Sequence, residues 1–110
     1  MAKSLRMERI EAMLADDPED AFLRYGLALE HASAGDDAGC VAVLRDLITR
    51  TAGNPYIPAY LQAGQALVRL DQIVEACAVL QDGITAAGHV GTSEALHARG
   101  EMQGLLASLE

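Results

Sequence analysis

The chain has 110 residues, 51% of them hydrophobic but only 4% aromatic, and a formal charge of −8 at pH 7. That length supports one domain whose core is made by close packing of small aliphatic side chains, not around a deep cofactor pocket. With Lys3 as its single lysine the chain lacks the clustered cations that phosphate binding requires, so no nucleic-acid partner is expected; no apolar run reaches the ~18 residues of a membrane span, and charges spread through residues 1–13 are unlike a secretion signal, which implies a cytoplasmic protein with no membrane partner.

The first predicted element is a helix from Ser4 to Ala15, with Ser4 as N-cap, Leu5, Ile10, Met13 and Leu14 on one side, and Asp16-Asp17-Pro18 as its stop. The acids Asp16, Asp17, Glu19 and Asp20 form the densest charge cluster. They serve the cap and dipole of the helix starting near Glu19, or else a docking patch for a basic partner. That second helix carries Phe22, Tyr25, Gly26 and Leu29 on one stripe, and a turn around Gly35-Asp36 leads to a third with Cys40, Leu44, Leu47 and Ile48. After Gly53-Asn54-Pro55 the pattern returns: Tyr60, Ala63, Gly64 and Leu67, a turn at Leu70-Asp71-Gln72, then Ala76, Leu80, Gly83 and Ile84. Small residues at Gly64 and Ala76 let two helix backbones approach, while Tyr60, Leu67, Leu80 and Ile84 fill the flanks. A break from Gly88 through His89 to Gly91 precedes a last helix, capped by Thr92 or Ser93 and running to about Ser108. Its apolar side holds Ala95, Ala98, Met102, Leu105, Leu106 and Leu109. No segment alternates with a period of two for long enough to make a strand, so the fold class is all-α with about six antiparallel helices.

The two central hairpins align. Phe22, Tyr25, Gly26 and Leu29 recur 38 residues on as Tyr60, Ala63, Gly64 and Leu67, whereas Cys40, Leu44, Leu47 and Ile48 recur 36 residues on. The difference predicts two more residues in the first turn than in the second. An aromatic, a small-then-Gly pair, a large residue, a turn and a buried small residue before a bulky one resemble the tetratricopeptide repeat, over about Glu19 to Gly88. The resemblance departs at Leu80 and Leu44, where the family often has an aromatic, and at Gly83 and Leu47, where it usually has Ala. It implies one domain over 1–110, a short right-handed α-α superhelix: a half-repeat helix (1–18), two repeats (19–55 and 56–91) and a capping helix (92–110).

The resemblance also implies a non-enzymatic scaffold or adaptor that lays a peptide or protein segment across a concave groove. Groove positions carried through Gly64 are Leu61, Gln65, Val68 and Arg69; through Gly26 they are Asp20, Leu23, Leu27, Glu30 and His31. The Lys and Asn clamp with which some members hold acidic chaperone tails is absent, since Leu23, Leu27, Leu61 and Gln65 stand there. Two alternatives stay open: the last helix covers Leu61 and Val68 as packing, or the chain is a self-associating module that pairs as a homodimer.

Chemistry-bearing residues are few. Cys40 and Cys77 fall on different helices with different headings, and read as buried or half-buried thiols, not a disulfide or a metal site. His31, His89 and His97 belong to no catalytic or metal-binding motif, and Ser33, Ser93 and Ser108 lack a nucleophile elbow. No cofactor and no enzymatic activity are expected, although a deep pocket holding a histidine beside a carboxylate would reopen the question.

Overall fold

The computed structural model describes residues 3–110, and they form six helices: α1 (Leu5–Asp16), α2 (Ala21–Ser33), α3 (Asp37–Arg50), α4 (Ile57–Arg69), α5 (Ile73–Val90) and α6 (Ser93–Leu109). No strand occurs among the described residues. Each helix packs on the next in the chain, and α4 also touches α6, so the helices stack in one direction as a short α-α superhelix measuring 37 × 29 × 19 Å.

Local chemistry sets the boundaries. Ser4 Oγ accepts from the Met7 amide (3.0 Å), Asp20 Oδ1 from Leu23 (3.0 Å), Asp36 Oδ1 from Gly39 (2.9 Å) and Thr92 Oγ1 from Ala95 (3.1 Å), each satisfying an otherwise orphaned N–H in a first turn. Gly91, at φ 70°, ends α5 by donating its amide to the Ala87 carbonyl. The expected break at Gly88-His89 is therefore the last turn of α5. Gly88 stays helical because the left-handed residue that ends the helix comes three positions later. On α1 the inward stripe is Met7, Ile10 and Leu14, spaced by three and four residues; Leu5 and Met13 are exposed.

The repeat register also departs from the expectation. Both hairpin turns have three residues, Ala34-Gly35-Asp36 and Leu70-Asp71-Gln72, and both place their middle residue at positive φ (78° at Gly35, 59° at Asp71). The N-cap positions Asp20, Tyr56 and Thr92 succeed one another at intervals of 36 residues, as do Asp36 and Gln72. One constant period of 36 thus governs both helices of the repeat, and the first turn carries no extra residues.

The counterpart of Gly64 is consequently Ala28, fully buried, and not Gly26. A Cβ built on Gly64 would lie 2.5 Å from Leu80 Cδ2, whereas one on Gly26 would meet only Ile10 Cδ1 at 3.7 Å. Phe22, which the 38-residue alignment pairs with Tyr60, is instead 72% exposed, while Tyr60 is buried. The residue holding Tyr60's place is Arg24. Its Nε and Nη2 donate to the Pro18 carbonyl (3.1 and 2.7 Å) and its Nη1 to Asp46 (3.2 Å), so a half-buried cation is satisfied where the second repeat has a phenol. In the second helices the expected pairs hold. Cys40 and Ala76, and Leu44 and Leu80, are fully buried together, and with Leu47, Leu67 and Met102 they make the centre of the core.

Candidate functional site

Helices α2, α4 and α6 occupy equivalent places in successive units, so residues 36 apart form rows across one face. Phe22, Pro58 and Glu94 make one row; Tyr25, Leu61 and His97 a second; Leu29, Gln65 and Glu101 a third. Between them lies a trough of about 410 Å³ with Tyr25, Pro58, Leu61 and Ala98 as its apolar lining and Ser93, Glu94, His97 and Glu101 along the α6 side. It shares Pro58, Glu94 and Ala98 with a smaller hollow of about 270 Å³ that reaches Tyr56 and Val90. The Tyr25 and Tyr56 rings lie with centroids 5.3 Å apart and planes tilted by 46°, fixing the wall where α2 meets the start of α4.

Burial pushes the Tyr25 phenol above its ordinary pKa, with Gln62 pulling the other way; burial also raises Tyr56, aided by Tyr25 and by the charge of Asp20. Both rings are therefore neutral at physiological pH, amphipathic surfaces rather than charges. His97 Nε2 lies 3.3 Å from Glu101 Oε1 with its side chain 82% exposed, a surface pair in an open trough and not a histidine held in a deep pocket. No lysine or arginine is among the residues lining the trough.

The sequence-derived groove residues fall in several places. Leu61 lies in the trough. Gln65, half-buried, lies in the third row, and Val68 packs against the core. Arg69 is turned to α3, its Nε donating to Asp37 Oδ1 at 2.9 Å. Leu23 and Leu27 hold the places of Ala59 and Ala63, which are fully buried against neighbouring helices. Glu30 reaches α1, 3.5 Å from Arg6 and from the Ser4 hydroxyl, and His31 Nδ1 lies 3.0 Å from Asp36 Oδ2 at the α2–α3 turn. On α2 the trough face is presented by Tyr25, with Phe22 and Leu29 in the flanking rows. The signal that locates it is the spacing of the cap residues Asp20 and Thr92, which fixes the register independently of the aromatic-Gly pattern.

The outer side, between α3 and α5, has a larger hollow of about 760 Å³ over Ile48, Thr49, Tyr60 and Asp82. Burial there raises the Tyr60 phenol, with Asp82 adding to the shift. Cys40 and Cys77 are free, and Cys40 is pushed up by burial, with Arg69 opposing and Asp37 and Asp36 reinforcing. Among the described residues no cluster of three His, Cys, Asp or Glu could hold a metal, and no helix is long and apolar enough to cross a membrane.

No family profile and no curated protein matches the chain. Among solved structures it is similar to a tetratricopeptide repeat domain protein from Salinibacter ruber determined by solution NMR, at 30% identity over 84% of this chain and 89% of that one, with a TM-score of 0.70. It is likewise similar to a crystal structure of a tetratricopeptide repeat domain protein from the same organism, at 27% identity over 82% and 94% of the two chains, with a TM-score of 0.68.

Proposed function

The chain belongs to the tetratricopeptide repeat family, a class of protein-interaction modules, and from that footing we propose that it is a non-enzymatic adaptor taking a peptide segment in the trough between α2, α4 and α6. The observation that carries this reading is the open apolar lining of Tyr25, Pro58, Leu61 and Ala98, with the 72% exposed Phe22 in the adjoining row. Such a surface rewards an inserted apolar side chain, and preformed pockets of this kind are where interface energy concentrates. His97 in the trough pairs with Glu101 at an exposed position, which supports a binding role over a catalytic one.

Panning a displayed library of short random peptides on the protein tests this, with Leu61→Ser as the comparison and Leu61→Ala as a milder companion, both checked for unchanged helix content. Enriched peptides should lose about thirtyfold in affinity on Leu61→Ser, the worth of one ~2 kcal/mol anchor. Light scattering should give a monomer of 11.6 kDa. Equal capture by wild type and both variants, or a dimer that Leu61→Ser dissociates, would move the trough from partner binding to packing.

A further inference from the structure

We infer that the segment this trough accepts is cationic: an apolar anchor seats among Tyr25, Pro58 and Leu61, and a lysine or arginine about three residues away is held by Glu94 or Glu101 on α6. This rests on the peptide reading of the trough and adds the charge of the partner.

Along the rows, character changes from helix to helix. The α2 positions Phe22, Tyr25 and Leu29 are aromatic or aliphatic, the α4 positions Pro58, Leu61 and Gln65 are mixed, and the α6 positions Glu94, His97 and Glu101 supply two carboxylates and an imidazole. Asp20 adds a negative charge near Tyr56, which lines the adjoining hollow. Three arginines of the neighbouring helices are engaged elsewhere: Arg69 with Asp37, Arg6 with Glu30, and Arg24 with Asp46 and the Pro18 carbonyl. Arg99 turns away, its Nη1 3.6 Å from where a Cβ on Gly88 would be. Among the described residues Glu94 has no ion pair, and Glu101 meets only His97, through one carboxylate oxygen. An acidic edge beside an apolar floor, in a protein of formal charge −8, attracts a basic segment and repels an acidic one. Packed helices lie ~8–10 Å apart and an extended strand advances ~3.3 Å per residue, which sets the distance from anchor to cation at about three residues.

The peptides enriched on the wild-type protein supply the test, alongside the double variant Glu94→Lys with Glu101→Lys, both exposed positions whose change leaves the apolar floor intact. Peptides that depend on Leu61 should carry Lys or Arg two to four residues from an apolar residue, and replacing that cation by Ser should weaken binding about threefold to tenfold, less so at high ionic strength. The double variant should turn enrichment toward Asp and Glu. Enriched peptides that depend on Leu61 but are neutral or acidic, or a double variant that keeps the same preference, would overturn the cationic inference and leave the peptide reading standing. No enrichment dependent on Leu61 would overturn both.

Discussion

Gly64 and Gly100 stand 36 residues apart in the middle of equivalent helices, yet a methyl group added at each meets opposite surroundings. At Gly64 the new Cβ would lie 2.5 Å from Leu80 Cδ2, 2.7 Å from Cγ and 3.3 Å from Cδ1, and Leu80 is fully buried, so it cannot swing aside. At Gly100 nothing lies within 4 Å. Replacing Gly by Ala within a helix gains about 1 kcal/mol from backbone entropy and propensity, and overpacking a tight crossing costs about 1–3 kcal/mol. Gly100→Ala should thus stabilise by about 1 kcal/mol, and Gly64→Ala should be neutral or destabilising by up to about 2 kcal/mol. At roughly 4 °C per kcal/mol for a domain of this size, the two melting temperatures should differ by about 4–12 °C, measured by far-ultraviolet circular dichroism. Adding Leu80→Ala in the Gly64→Ala background should cost less than in the wild type, because the new methyl occupies space that Leu80 vacates, a coupling of at least about 0.5 kcal/mol. Equal rises in Tm for Gly64→Ala and Gly100→Ala would refute the close crossing of α4 and α5.

At the α2–α3 turn, the Gly39 amide first and His31 second hold the Asp36 carboxyl below its ordinary value. The charged form is favoured in the folded state, so its stabilisation is complete above about pH 4 and is lost as pH falls through the lowered folded value. The Tm advantage of wild type over Asp36→Asn should therefore be present near neutrality and disappear in strong acid; an advantage that grows with acidity would contradict the assignment. Cys40 is fully buried with a raised pKa, while Cys77 is only half-buried, so iodoacetamide should label Cys77 in the native protein and Cys40 only after unfolding. Mass spectrometry showing both modified at similar rates would mean that α3 is not packed as described.

The helices were legible because their period, caps and turn residues agree: Ser4, Asp20 and Thr92 stand where their helices begin, and the buried pairs Cys40–Ala76 and Leu44–Leu80 follow from spacing alone. The register of α2 was not. Phe22-x-x-Tyr25-Gly26 imitates Tyr60-x-x-Ala63-Gly64, and pattern alone cannot tell that the close approach is made by Ala28, because Ala and Gly serve equally where only a small residue fits. Arg24 hid the true counterpart of Tyr60, since a charged residue gives no core signal until Pro18 and Asp46 satisfy it. The trough followed the register. Leu61 follows from Gly64, while Tyr25 shares its stripe with the packing residues Gly26 and Leu29, and His97 and Ala98 belong to a helix whose sequence reads as a cap.

Chemical-shift mapping of the isotopically labelled protein with the tightest selected peptide tests directly whether the face of α2, α4 and α6 binds a segment. The largest shifts should fall at Tyr25, Leu61, Ala98 and Glu101, with Ile48, Thr49 and Ala86 on the α3–α5 side unmoved. Shifts concentrated at Ile48, Thr49 and Ala86, with the trough residues unchanged, would contradict it.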